Sequence, residues 1–197
     1  MVFRVLALAL LAGTAQAAAQ AAELEGVQLE DRVQVDGQAL ELNGMALRTR
    51  LFFKVYVAGL YLPQRATTAQ GAIDAAGAKR MVLVMLRDAS ADQFCESVQV
   101  GLENNHSDQD LERLKPRAEA LYAKIRAIGE AHKGMRIVLD YSDATRATML
   151  YIDGAPQGDA IRGREFFRGL LRIWLGERPA QADLKRLLLG QDEDAKE

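Results

Sequence analysis

The chain has 197 residues, with 25 Lys and Arg against 27 Asp and Glu and a formal net charge of −2. That mildly acidic balance argues against nucleic acid as a partner, and the length suits one domain able to bury a core without metals or disulfides. Cys95 is the one cysteine, which excludes an intramolecular disulfide.

The chain opens with MVFRVLALALLAGTAQAAAQA, in which Arg4 precedes an apolar run, Val5–Ala12, and small-residue sites end at Ala17 or Ala21. This is the layout of a secretory signal peptide, and the apolar run is far short of the ~20 residues a membrane span needs. Residues 1–21 are therefore expected to be a leader, cut between Ala17 and Ala22. Residues 22–190 are expected to form one domain and residues 191–197 a charged tail. No Cys follows the apolar run, so lipoprotein attachment is not indicated. The expected compartment is beyond the inner membrane, and the style of the signal suggests a bacterial periplasm. No later stretch is long and apolar enough to span a bilayer.

Gly26–Val35 alternates in patches through Val27, Leu29, Val33 and Val35, as a strand or a broken strand does. Asp36-Gly37 is a two-residue hairpin signal before Ala39–Leu42, and Asn43-Gly44 reads as another turn. A short basic segment, Arg48 to Arg50, leads into a long apolar strand, Leu51–Leu62, closed by Pro63. Thr68–Ala75 predicts a short helix and Lys79–Leu86 a second buried strand. Ser90 and Gln93 then form a capping box, followed by Phe94, Cys95, Val98, Gly101 and Leu102 at helical spacing. Ser107 and Asp110 mark a second start, with Leu111, Leu114, Ala118, Leu121, Tyr122 and Ile125 on one stripe. Pro116 is expected to kink or restart that helix.

Met135–Tyr141, Ala147–Ile152 and Gln157–Ile161 read as short strands, with Asp153-Gly154 as the hairpin joining the last two. Arg164–Leu175 is a strongly amphipathic helix, with Phe166, Phe167, Leu170, Leu171 and Trp174 inward and Arg164, Arg168 and Arg172 outward. Gly176 and Pro179 end it, and Ala182–Leu189 is a last short helix. This order predicts an α+β fold, one large antiparallel sheet with helices covering a single face.

Strict alternation along Leu51–Leu62 puts Lys54 and Tyr56 on one face with Phe52, Ala58, Leu60 and Leu62. Two polar heads among apolar neighbours suit a ligand-facing surface. The commoner reading of these residues alone is a core Tyr satisfied by backbone and a Lys snorkelling to water. A cleft between sheet and helices, lined by that face, is where a site is expected.

Other chemistry is scarce. His106 and His132 have no ligand spacing with each other or with Cys95, so a zinc site is not indicated. Nucleophile elbow, P-loop and dinucleotide fingerprint are all missing from the sequence. Asp140 reads as a turn or cap residue, and no cofactor or metal is implied. Arg48 and Tyr56 remain: a guanidinium can take a carboxylate in a bidentate fork and a Tyr hydroxyl can add a third bond. The same pair could stabilise a phenolate. Arg50 and Lys54 could substitute for Arg48.

LNGMALRTRLFFKVYVAGLYLP (residues 42–63), the helix after LRDAS, and FFRGLLRIWLGERP together resemble the chalcone isomerase-like proteins of bacteria, over nearly the whole chain after the leader. The resemblance implies an open-faced β-sandwich, a large antiparallel sheet with a helical layer around a ligand cleft. It also implies that Arg48 stands where true isomerases keep an Arg for the reacting phenolate. Their strand Thr corresponds to Tyr56, their helix Tyr and Asn to Phe94 and Gly101, and a late Ser/Thr to Ile173. The loop after Arg48 is shorter than in the plant enzymes.

Losing one positioned donor from such a site commonly costs ~10²–10³ in rate, so these changes weigh against the plant reaction. Fatty-acid-binding relatives keep an Arg and a Tyr for the ligand carboxylate, and Arg48 with Tyr56 resembles that pair. The expectation is a non-catalytic binder of a fatty acid or similar small amphipathic carboxylate. Phe94, Val98, Gly101, Phe167, Leu171 and Ile173 would line its tail slot. The alternatives are an isomerase or intramolecular lyase acting on a flavonoid-like enone, and an envelope interaction module whose cleft is filled by its own side chains.

Overall fold

The computed structural model describes residues 21–191; residues 1–20 of the expected leader and all but the first residue of the charged tail lie outside them. Twelve strands are present: β1 Ala21–Leu24, β2 Val27–Glu30, β3 Arg32–Val35, β4 Gln38–Arg50, β5 Phe53–Leu62, β6 Lys79–Met85, β7 Ala89–Ser90, β8 Glu130–Ala131, β9 Arg136–Ser142, β10 Ala147–Ile152, β11 Ala155–Pro156 and β12 Ile161–Arg162. Five helices accompany them: α1 Ala69–Asp74, α2 Ala91–Glu103, α3 Asp108–Ile128, α4 Arg164–Leu175 and α5 Ala182–Leu188.

The eight-stranded main sheet runs β11-β10-β9-β6-β5-β4-β3, with β12 also on β10. Every neighbouring pair is antiparallel. Its two faces carry separate apolar clusters. On one, Ala58, Leu60, Met81, Leu83 and Leu139 form one apolar cluster with helical residues that include Phe166, Leu170 and Leu171 of α4. On the other, Val57, Tyr61, Val82 and Val138 lie under Val27 and Leu29 of the β1–β2 hairpin. The expected α+β layering is present, and this small hairpin is the added cover. Burying each Phe or Leu of α4 contributes roughly 1.5–3 kcal/mol, which is why α4 anchors the helical layer.

Local signals place several elements as expected. The Ser90–Gln93 capping box forms in both directions. Asp36-Gly37 adopts the positive φ pair of a tight hairpin, and α4 has the bounds its periodicity gives. Other expectations are corrected. Asn43-Gly44 is not a turn but an irregularity within β4: Leu42 pairs with Tyr61 and Gly44 with Leu60, leaving Asn43 extra. The buried Asn43 amide donates to Ala66 O at 3.0 Å and Leu188 O at 2.7 Å, and its oxygen accepts from Ala66 N at 2.7 Å. Tertiary hydrogen bonds thus use the Asn that a turn would have used.

The long strand begins at Phe53, because Leu51 and Phe52 form the turn between β4 and β5. Gln157–Ile161 is not one strand: the two-residue ladder β11 ends just before it, and only its last residue, Ile161, enters β12. Pro116 lies within a continuous α3 on its exposed face and does not restart it. Asp140 is no cap: it sits opposite Arg80 in mid-sheet and accepts two bonds of 2.6 Å from that guanidinium. No helix among the described residues is long and apolar enough to cross a membrane.

Candidate functional site

The site begins with a second irregularity in the β4–β5 ladder. Arg48 pairs with Tyr56, but Thr49 pairs with Lys54, so Val55 is the extra residue of a β-bulge. A bulge locally breaks the alternation of side chains. Lys54 therefore does not share a face with Tyr56, as strict alternation required. Its ammonium lies 2.6 Å from Glu25, in the turn of the covering hairpin. Phe53 and Val55, expected opposite Tyr56, join it instead in lining a cleft beneath the helices.

That cleft has a volume of about 430 Å³, within the ~300–1,000 Å³ common for small-molecule pockets. Val55, Tyr56, Leu83 and Met85 line it from the sheet; Phe94, Val98 and Gly101 from α2; Ile173 and Trp174 from α4. Arg50, Leu51, Phe53, Arg87, Val100 and Arg178 also border it. A smaller apolar space of about 30 Å³ shares Leu83, Phe94, Val98 and Trp174 with the cleft.

Arg48 and Tyr56 meet at the cleft. Directly opposed residues of an antiparallel pair point to the same face. The Tyr56 oxygen accepts from Trp174 Nε1 at 2.9 Å. Burial raises the Tyr56 pKa, with Trp174 and Arg48 pulling the other way, so the group is a neutral phenol at physiological pH. With the Trp174 N–H directed at its oxygen, its own proton is available to an acceptor in the cleft.

Arg48 donates to Thr49 O at 2.7 Å and to Gln181 Oε1 at 3.3 Å. No carboxylate pairs with it among the described residues. Gln181 also accepts from Thr49 N at 2.9 Å, so the residue preceding α5 holds the end of β4 in place. The arrangement is a half-buried cation and a neutral donor beside an apolar space, which is the chemistry of carboxylate capture.

Of the residues expected at the site, the structure brings Arg48, Tyr56, Phe94, Val98, Gly101 and Ile173 around one cleft. Phe167 and Leu171 border neither of these two spaces; both are core, and Phe167 stacks on Tyr141 at 5.4 Å between ring centroids. Gly101 has a packing role too, since a Cβ there would lie 2.6 Å from Ile173 Cγ2. Trp174 and Gln181 were missed as polar partners, because their links to Tyr56 and Arg48 span 118 and 133 residues.

The other polar candidates stay apart from the cleft's interior. Cys95 is buried, its thiol toward Tyr122 O, and His106 lies at the α2–α3 junction with Nδ1 2.9 Å from Leu102 O. Asp88, Glu130 and His132 come within 4.8 Å of one another. All three are exposed, and Asp88 accepts the Lys133 N–H at 2.7 Å as a loop cap.

The fold has known counterparts. A crystal structure of a fatty-acid binding protein from Arabidopsis thaliana matches with a TM-score of 0.68 at 14% identity, over 86% of this chain and 96% of that one. At that identity the likeness speaks for the fold alone. No curated protein matches the sequence. The family profile described as chalcone isomerase-like matches residues 21–190. With a match of that extent on this sheet-and-helix order, the chain belongs to the chalcone isomerase-like family.

Proposed function

We propose that the protein binds a fatty acid or similar amphipathic carboxylate in the cleft between sheet and helices, without catalysing a reaction. The observation that carries this reading is the Arg48 guanidinium, half-buried beside the neutral Tyr56 hydroxyl and lacking an acidic partner among the described residues. A ligand carboxylate would accept from both groups, and its tail would lie against Phe94, Val98 and Ile173. Each buried CH₂ contributes about 0.8 kcal/mol. The structural likeness to a plant fatty-acid binding protein supports the same ligand class.

An isomerase reading comes second. Arg48 could stabilise a developing phenolate and Tyr56 donate to it, but Phe94, Gly101 and Ile173 bring no side-chain hydrogen bond to such a transition state. The leader layout of residues 1–21 supports an exported protein, and a bacterial periplasm is the compartment we favour. Fractionation with N-terminal sequencing tests that part.

The binding test is to purify the protein gently from its own compartment, identify bound lipid by native mass spectrometry, and titrate the emptied protein with hexadecanoate. Trp174, the chain's single tryptophan, lies against Tyr56 and reports occupancy by fluorescence. Finding no lipid, together with equal hexadecanoate affinity in Arg48→Ala, would sink the proposal. Turnover of a chalcone well above the spontaneous rate would favour the isomerase.

A further inference from the structure

The exposed large apolar side chains of the described residues gather at the turn between β4 and β5: Leu51 is 84% exposed, Phe52 98% and Phe53 56%, with Val100 at 46% on the same cleft. Leu51 also has φ 56 and Phe52 does not share that sign. A two-residue turn with only its first residue left-handed ordinarily has glycine there. A leucine at this place is disfavoured by its backbone and by its contact with water. Neither folding nor solubility accounts for it.

The surroundings are basic. Arg50, Arg87 and Arg178 line the cleft that this tip borders, and none has an ion pair among the described residues. Arg87 lies over the Phe53 ring, 4.6 Å from its centroid. The acids nearby are Asp88 and Glu96 on the rim and Glu25, which pairs with Lys54. Although acids outnumber bases in the whole chain, no Asp or Glu occurs between Glu41 and Asp74. An apolar protrusion ringed by arginines complements a bilayer, whose apolar interior lies beneath anionic phosphates. A protein partner fits less well. Three side chains of roughly 150–250 Å² each at most fall short of the ~800 Å² per partner of a stable interface.

We propose that the Leu51-Phe52 tip docks the protein on anionic phospholipid bilayers. Leu51 and Phe52 enter the acyl boundary, Arg50, Arg87 and Arg178 meet headgroup phosphates, and the cleft mouth faces the lipid. The proposal does not depend on which ligand the cleft takes.

The test is flotation of protein purified after export, its N-terminus determined, with vesicles of phosphatidylglycerol and phosphatidylcholine in equal parts, and of phosphatidylcholine alone. The expected result is binding to the anionic vesicles that weakens as salt rises. L51G/F52S should lower partitioning roughly 100-fold while its melting temperature holds or rises, because glycine suits that φ. R50Q/R87Q/R178Q should remove the salt dependence. Equal binding by parent and L51G/F52S, or none by the parent, would overturn the proposal. So would a dimer in analytical ultracentrifugation that L51G/F52S dissolves, because the tip would then be a contact between copies.

Discussion

Trp174 on α4 and Tyr56 on β5 are joined by a 2.9 Å hydrogen bond from indole nitrogen to phenol oxygen. The bond ties the helical layer to the sheet at the cleft and fixes which way the Tyr56 proton can point. Replacing Trp174 with Phe removes the donor and leaves a small void. We expect a loss of about 1–2 kcal/mol in urea unfolding, together with weaker hexadecanoate binding because the phenol is no longer held.

Arg48 has no acidic partner among the described residues, so its removal should cost far more affinity than stability. For Arg48→Met we expect hexadecanoate binding to weaken by roughly 10–100-fold, with a stability loss of about 1 kcal/mol for the hydrogen bonds to Thr49 and Gln181. Methyl hexadecanoate, which carries no charge, should bind parent and variant alike. Calorimetric titration of both ligands checks this, and an equal loss for the ester would place Arg48 in the packing of the cleft.

Asn43 should behave in the opposite way. Its amide satisfies Ala66 at both N and O, and also Leu188 O, in a buried setting. Asn43→Ala leaves those groups unpaired and is expected to cost roughly 2–4 kcal/mol. Hydrogen exchange should show α5 opening first.

Lys79 is buried above the Tyr141 ring, 5.3 Å from its centroid. Burial lowers its pKa to about 8, Arg164 adds to the lowering, and Asp143 opposes it. Below about pH 8 the lysine is charged in folded and unfolded chains alike, and the whole penalty of burying that charge is present. Between about 8 and the ordinary value of 10.5 the unfolded chain holds the proton more tightly, so stability rises with pH. Lys79→Met should thus stabilise the protein at neutral pH by on the order of 1–3 kcal/mol. The gain should shrink across pH 8 to 10, which denaturant melts at stepped pH will show.

Where a structure is determined by neighbours in sequence, the sequence sufficed. The Ser90 cap, the Asp36-Gly37 hairpin and the stripe of α4 all rest on residues within a few positions of one another. The bulges at Asn43 and Val55 do not. They arise because two long strands must match both a turn and a helical layer, and each displaces a side chain from the face that a period of two assigns it. Arg48 and Tyr56 could be singled out by elimination and family likeness, but not the side Lys54 would take. Phe167 and Leu171 show the related limit for helices. An apolar stripe says which face is buried, not which part of it borders a cavity, and α4 spends these two residues on the core.

The grip of Gln181 on Thr49 and Arg48 links positions more than 130 residues apart, and Asn43 reaches Leu188 across 145. Chains are made from the amino end, so β4 waits through nearly the whole of synthesis for the segment that secures it. The cleft end of the molecule is consequently the last part to close. A nascent or clipped chain that stops before Gln181 has its sheet residues in place but neither of these fastenings. An intact cleft is thereby a mark of a finished carboxy-terminal end.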